Sequence, residues 1–275
     1  MQKRTYDRKE IILIIFISAV ILAVGVFLKF WQEKKPEEAA STQVATGTVI
    51  KIQTPAPKPK ATPNPTGKIA TFLQGPKSWK EKREWSGEWG KEYYDGGSFG
   101  GFGCGLCCMA NIYTSLSEYR CSPVDMYKYA KRASMYEGGG AIDWGYMKET
   151  MTKAGFTCDV GRKPKEYASF QSMMKRSKAC IVVVSSANST CYWENTPGHY
   201  VTLFLYDEKT DKIFLADSGD PTHNRHWVSL KKIYRSLKTA NHWQYMTVTD
   251  YDAKKNTWKH NSFGGNCVLP EEWRA

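Results

Sequence analysis

In 102-FGCGLCCMANIYTSLSEY-119, a glycine-rich loop is followed by a run that predicts a helix beginning at Cys104. The first N–H groups of a helix are unpaired and carry partial positive charge. They lower the pKa of a thiol placed there, and they can hold the oxyanion of a tetrahedral intermediate. Gly103 and Gly105 leave room for a substrate backbone. Cys104 is therefore a candidate thiolate nucleophile.

Capping and turn signals divide the rest of the globular part into elements. Ser122 and Asp125 have capping-box spacing, with a proline at the first helical position, and predict a helix through Arg132. The other predicted helices span 143–154, 165–175 and 229–238, and the predicted strands span 180–186, 199–208, 211–219 and 242–251. Because helices come first and antiparallel strands later, the predicted fold class is α+β.

A cysteine nucleophile needs a base, and the chain has five histidines. His199 begins a strong apolar strand, where a side chain is held rigidly and can face a cleft. Asp217 ends the next strand, which a hairpin at Lys209-Thr210 would place beside His199. A carboxylate in that position orients the imidazole and favours its protonated form. Cys104, His199 and Asp217 are thus the predicted catalytic residues.

Three local strings, FGCGLCCMAN, PGHYVTLFLYD and FLADSGDP, occur in this order between about residues 70 and 250. Together they resemble the bacteriocin-processing, double-glycine-leader group of papain-like cysteine peptidases. The resemblance implies a papain-like fold, in which a helical part carries the nucleophile and an antiparallel sheet carries the histidine and the aspartate. It implies peptide-bond hydrolysis, with Cys104 as nucleophile, His199 as general base and acid, and Asp217 as its orienter. Such families also use an upstream glutamine in the oxyanion hole, and Gln74 is the nearest one here.

The chain departs from this group in two places. Leu106-Cys107-Cys108 follows the GCG string, where the group usually has small residues, and the aromatic stretch 79–102 has no counterpart that can be matched. The tryptophans and tyrosines of 79–102 are most often packing residues, but such rings can also line a cleft for a peptide or a glycan. The substrate therefore does not follow from the resemblance.

The N-terminal segment predicts a membrane anchor. Residues 11–28, IILIIFISAVILAVGVFL, carry no charge and would span about 27 Å as a helix. The basic residues Lys3, Arg4, Arg8 and Lys9 precede them. This pattern predicts a cytoplasmic tail at 1–10, a transmembrane helix at 11–30 and an exported C-terminal part. A cleaved signal peptide is the competing interpretation, although the candidate cleavage site Ala39-Ala40-Ser41 lies far from the apolar run.

A change in composition separates a linker from a folded domain after the predicted anchor. Residues 31–68 are rich in Pro, Ala and Lys and predict a semi-extended linker, and 69–275 form the predicted peptidase domain outside a bacterial cell membrane. The net charge of +12 suits an anionic lipid or an anionic cell wall as partner. The charge is scattered and no nucleic-acid motif is present, so nucleic acid is not a predicted partner. The predicted partners are a peptide or protein substrate, the membrane and the cell wall.

The chain has eight cysteines, and a catalytic Cys104 leaves seven, which cannot all pair. Cys107 gives CxxC spacing with Cys104, but zinc would need a second ligand pair, and no later CxxC or HxxxH exists. We therefore predict no metal and no cofactor. Cys107 and Cys108 are interpreted as small thiols in the core beneath the site.

Two alternatives to a peptidase remain open from the residues alone. A cell-wall amidase or endopeptidase of the NlpC type uses cysteine and histidine on a related fold, and the basic charge suits an anionic wall. A module that keeps the fold only to bind peptide or glycan is the second alternative. The presence of Cys104, His199 and Asp217 together argues against the second one.

Overall fold

A computed structural model describes residues 69–274. The predicted tail, membrane helix and linker, at 1–68, lie outside these residues. Within 69–274, the longest apolar helices fall short of the length and hydropathy that a membrane span requires.

The described part is an α+β fold, as the order of elements predicts. Its helices are α1 (Pro76–Lys80), α2 (Phe99–Phe102), α3 (Cys104–Leu116), α4 (Pro123–Ala133), α5 (Trp144–Lys153), α6 (Tyr167–Arg176) and α7 (Leu230–Ser236). Its strands are β1 (Tyr93–Tyr94), β2 (Gly97–Ser98), β3 (Phe156–Gly161), β4 (Ala179–Val184), β5 (His199–Asp207), β6 (Lys212–Ala216), β7 (His226–Ser229) and β8 (Tyr245–Tyr251). Six of these strands form one antiparallel sheet in the order β3-β8-β4-β5-β6-β7.

Strand β4 lies in the interior of this sheet and is buried along its whole length. Ile181 and Val183 face a core formed with α3, α4 and α5. Val182 and Val184 face a second core, formed with α6 and α7. Because helices cover both faces of the sheet here, this strand is continuously apolar instead of alternating.

Helix α3 is buried at every position from Cys104 to Leu116. Its polar side chains are used in the interior. Asn111 Oδ1 accepts the Phe72 N–H at 2.8 Å, and Ser115 Oγ accepts the Ala70 N–H at 2.9 Å. These bonds satisfy backbone groups that burial would otherwise leave unpaired. They hold the segment 69–74 against the helix that begins with Cys104.

Several boundaries differ from the sequence-based prediction. The helix predicted through residue 119 ends at Leu116, because Ser117 adopts an extended backbone. The stretch 99–102, predicted as a loop, forms the helical turn α2, and the Gly103 N–H donates to the Phe99 carbonyl at 2.8 Å. The capping box of Ser122 and Asp125 is confirmed: both of its hydrogen bonds are present at the start of α4.

Two strands of the sheet were not predicted. Strand β3 alternates buried and exposed residues only over its first positions, and β7 lies in a stretch for which no strand was predicted. Strand β7 contains the exposed Trp227 and forms through pairing with β6, where Phe214 lies opposite it. Strand β7 cannot be predicted from its own residues, because the hydrogen bonds that form it come from the partner strand.

Candidate active site

The predicted catalytic residues lie at the ends of three different helices and strands. Cys104 is the first residue of α3, His199 is the first residue of β5, and Asp217 directly follows β6. Strands β5 and β6 pair with Thr202 opposite Ala216, so the residue after β6 lies beside the beginning of β5. The predicted hairpin therefore carries the histidine and the aspartate to the same edge of the sheet.

The histidine and the aspartate are in direct contact. His199 Nε2 lies 2.8 Å from Asp217 Oδ1, and the Asp217 side chain is completely buried. The same carboxylate accepts Trp193 Nε1–H at 2.7 Å and the Gly219 N–H at 2.9 Å. Burial alone would raise the pKa of Asp217, but the hydrogen bond with His199 and its other donors hold that pKa far below its usual range. Asp217 is thus a buried anion with its charge directed at His199.

The thiol and the imidazole shift each other's ionisation. Burial alone would raise the pKa of Cys104, but His199 and the backbone N–H groups of Tyr200 and Gly105 lower it. Burial alone would lower the pKa of His199, but Asp217 and the Cys104 thiolate raise it to about 10. A thiolate beside an imidazolium is therefore the favoured form at pH values between the lowered pKa of Cys104 and the raised pKa of His199. Because Nε2 faces Asp217, Nδ1 is the ring nitrogen available to the thiol.

Glycine is required beside this pair. A Cβ atom added at Gly219 would lie 2.9 Å from the His199 ring, closer than van der Waals contact allows. The backbone of Gly219 also donates to Asp217. The D-S-G order after β6 thus lets the chain pass directly beneath the imidazole.

Gln74, the predicted oxyanion residue, lies in the same cleft as Cys104. Ser218 Oγ–H donates to Gln74 Oε1 at 2.7 Å, which fixes the orientation of the amide. Gln74 Nε2 donates one hydrogen to the Gly100 carbonyl at 3.0 Å. The second hydrogen of that amide nitrogen is available to a ligand in the cleft.

The cleft at these residues has a volume of about 630 Å³. Its other walls come from the loop between β4 and β5, from the turn after β6, and from Gly101. The residues that line it are Gln74, Gly101, Cys104, Tyr192, Trp193, Glu194, Asn195, Thr196, Pro197, Gly198, His199, Asp217, Gly219, Asp220 and His223. A cleft of this size accommodates a few residues of an extended peptide or a ligand of similar size.

The cleft is opposite in charge to the chain as a whole. The chain has 39 Lys and Arg against 27 Asp and Glu. The lining nevertheless includes the carboxylates of Glu194 and Asp220, and no lysine or arginine belongs to it. Local charge of this kind selects ligands more strongly than net charge does, because the walls of a cleft focus the field.

No protein-family model matches the sequence, and no curated protein matches it. Among solved structures, a crystal structure of a Bacillus anthracis protein described as a C39-like peptidase is similar to this chain. The similarity has 11% sequence identity and a TM-score of 0.34, and it covers 55% of this chain and 90% of that one. The likeness is too distant to assign a family, and the site rests on the contacts described above.

The aromatic stretch 79–102 does not line this cleft with its rings. Trp85, Trp89 and Phe99 are fully buried in the core, and the cleft is lined from this stretch by Gly101. The suggestion that these rings form a ligand cleft was wrong for them, because Trp85 and Trp89 pack edge-on against Phe72, and Phe99 lies in the same core. The packing interpretation is confirmed for these three rings, whereas Tyr93 is exposed.

The aromatic rings that do line the cleft were missed in the sequence. Tyr192 and Trp193 come from the loop between β4 and β5, which carries no helix or strand signal. The sequence offered one signal, since the stretch CYWE lies a few residues before His199. Trp193 is buried and donates to Asp217, so it belongs to the site.

The seven cysteines other than Cys104 are either buried in the core or partly exposed. All eight are free. Burial raises the pKa of Cys107 and of Cys108 well above the usual value, so both stay protonated beneath the site. Residues 69–274 hold no group of three or more His, Cys, Asp or Glu side chains arranged to bind a metal.

Proposed function

We propose that this chain is a cysteine peptidase that hydrolyses peptide bonds through Cys104, His199 and Asp217. One observation carries the proposal: a buried, multiply hydrogen-bonded carboxylate contacts an imidazole, which in turn lowers the pKa of a thiol at a helix N-terminus. Three perturbed groups in one cleft are the arrangement that nucleophilic acyl transfer requires.

The proposed reaction begins with attack of the Cys104 thiolate on the carbonyl carbon of a peptide bond. The developing oxyanion accepts one hydrogen bond from the backbone N–H of Cys104, in the first turn of α3, and a second one from the side-chain amide of Gln74. The His199 imidazolium gives its proton to the leaving amine and becomes neutral, which leaves an acyl-thioester on Cys104. Neutral His199 then takes a proton from water, which attacks the thioester and releases the carboxylate product and the thiolate. Asp217 stays ionised and holds the imidazole in place.

The acidic residues of the cleft favour, as substrate, a peptide that is neutral or basic near its scissile bond. Glu194 and Asp220 would repel a substrate with a carboxylate there. This weighs against the wall polymer as substrate, since the basic surface of the chain, and not its cleft, suits an anionic wall. The cell-wall amidase of the NlpC type remains the alternative to be tested.

The proposal includes a location. The uncharged segment 11–28 and the basic residues before it support a single-pass anchor in a bacterial cell membrane, with the peptidase domain on the outer side. The linker 31–68 would hold the domain away from the bilayer.

The experiment that tests the proposal compares two cysteine variants of the full-length chain. Cys104→Ser should reduce cleavage of a fluorogenic peptide library at pH 7 by about 10³-fold or more. Cys191→Ser is the matched control, because Cys191 is partly exposed and lies outside the cleft lining, and it should keep full activity. Undiminished cleavage by Cys104→Ser would end the proposal.

A parallel assay distinguishes a peptide substrate from a peptidoglycan substrate. The same proteins are incubated with purified peptidoglycan, and soluble fragments are identified by mass. Release of wall fragments without cleavage of any library peptide would favour the amidase. Stable binding of peptide with neither activity would favour a non-catalytic module.

A further inference from the structure

A second histidine lies on the far side of the buried carboxylate from His199. His223 Nδ1 is 3.7 Å from Asp217 Oδ2 and 3.6 Å from Asp220 Oδ2. The Nδ1 atom is buried and has no hydrogen-bond partner at these distances. A buried ring nitrogen between two carboxylates is most stable when it carries a proton, because the charge attraction then offsets the missing hydrogen bond.

The turn that carries His223 is held in place on both sides. The His223 N–H donates to the Asp220 carbonyl at 3.1 Å, and its ring packs against Tyr192 with centroids 4.6 Å apart. The neighbouring Asn224 donates from its side chain to the Thr71 carbonyl at 3.0 Å. The imidazole is therefore kept beside Asp217 by packing and by backbone hydrogen bonds.

We propose that His223 is a positioning residue that brings a second positive charge into the site and, through Asp217, stabilises the Cys104 thiolate. The inference rests on the proposed peptidase function and adds a residue to it. Asp217 is shared: Oδ1 faces His199 and Oδ2 faces His223. Protonated His223 neutralises part of the carboxylate charge, which reduces the repulsion between Asp217 and the thiolate.

The groups that face His223 determine the pH range in which its imidazole is protonated. The carboxylates of Asp217, Asp220 and Glu194 raise the pKa of His223 above its usual value, and burial opposes them. The Tyr192 hydroxyl stays neutral in this range, since burial raises its pKa. Below its raised pKa, His223 carries a positive charge that favours the Cys104 thiolate. His199 loses its proton only near pH 10, so we expect the charge of His223 to act on the ionisation of Cys104 and to leave the basic ionisation of the site in place.

A substitution that removes the charge separates this role from packing. In His223→Gln the acidic ionisation of Cys104 should move to higher pH by about half a unit or more, the size expected for the loss of one nearby charge. The basic ionisation should not move. His223→Lys, which keeps a positive charge, should restore the acidic ionisation to near its wild-type position.

The measurement is the pH dependence of Cys104 alkylation by iodoacetamide in the full-length chain. Peptide mapping by mass spectrometry reports Cys104 apart from the other seven thiols, and the readout needs no substrate. His226→Gln is the matched control, because His226 is exposed on β7 and lies outside the cleft lining. It should leave both ionisations unchanged. Thermal melting checks that each variant is folded.

The outcomes are distinct. A folded His223→Gln whose acidic ionisation coincides with wild type, or which is only less reactive at every pH, would show that His223 merely packs and would overturn the inference. If wild-type Cys104 itself ionises like free cysteine, the proposed function fails, and the inference fails with it. Should His223→Gln not fold, a wild-type NMR titration decides: a His223 pKa below 6.5 overturns the inference.

Discussion

Gln74 and Ser218 are joined by two hydrogen bonds: the Gln74 N–H donates to the Ser218 carbonyl at 2.8 Å, and Ser218 Oγ–H donates to Gln74 Oε1 at 2.7 Å. Ser218 directly follows Asp217, so the candidate oxyanion donor and the candidate orienting carboxylate are positioned by adjacent residues. A shift of the turn after β6 would move both groups together.

The first prediction concerns Gln74. Gln74→Ala should lower kcat by about 10²-fold and leave KM nearly unchanged, because the amide N–H would act on the oxyanion and not on the bound substrate. Ser218→Ala removes the hydroxyl that orients the amide but keeps the amide itself, and it should lower kcat less. Steady-state kinetics on one cleaved peptide gives both constants. A rise in KM at constant kcat would show instead that Gln74 binds the substrate.

The second prediction is the pH profile of kcat/KM. The acid limb should lie below the pKa of a free cysteine, because His199 lowers the pKa of Cys104. The basic limb should lie near pH 10, to which the pKa of His199 is raised. Activity is therefore expected to be highest between the two limbs, and assays between pH 4 and 11 measure both of them. A basic limb near 6.5, the value of an unperturbed histidine, would contradict the ion pair.

The third prediction concerns the buried carboxylate. Asp217→Asn keeps the shape of the side chain but removes the charge that stabilises the His199 imidazolium, so kcat/KM should fall by about 10²- to 10⁴-fold. The basic limb should also move to lower pH, because the pKa of His199 falls. Asp252→Asn, on an exposed turn, is the control and should change neither quantity. An unmoved basic limb in Asp217→Asn would mean that Asp217 does not set the charge of His199.

The fourth prediction concerns the acidic lining of the cleft. Glu194→Gln should lower kcat/KM several-fold for a peptide with lysine near the scissile bond and leave a matched alanine peptide unaffected, as exposed charge pairs are worth about 1 kcal/mol or less. The difference should shrink at high salt, which screens exposed charges. Glu137→Gln, exposed and outside the lining, is the control. Equal losses on both peptides would indicate a change in loop structure instead.

The starts of α3, α4 and β5 follow from local sequence. The capping box of Ser122 and Asp125 and the long apolar run after Cys104 act over a few residues, so they can be read directly. The hairpin that brings His199 and Asp217 together is equally local, since its two strands are neighbours in the chain. The α+β class and the grouping of Cys104, His199 and Asp217 could therefore be predicted without a structure.

The rest of the site depends on contacts between distant residues. Trp193 enters it because its indole meets Asp217, and His223 because its turn is anchored to Thr71 through Asn224. Trp85 and Trp89 do not line the cleft for the same kind of reason, since both are buried against Phe72 in the core. The local sequence is enough to place Cys104 and His199 at the starts of α3 and β5 and Asp217 directly after β6. Tertiary structure decided which of them share a cleft, because burial and charge are properties of the packed neighbours and not of the chain segment.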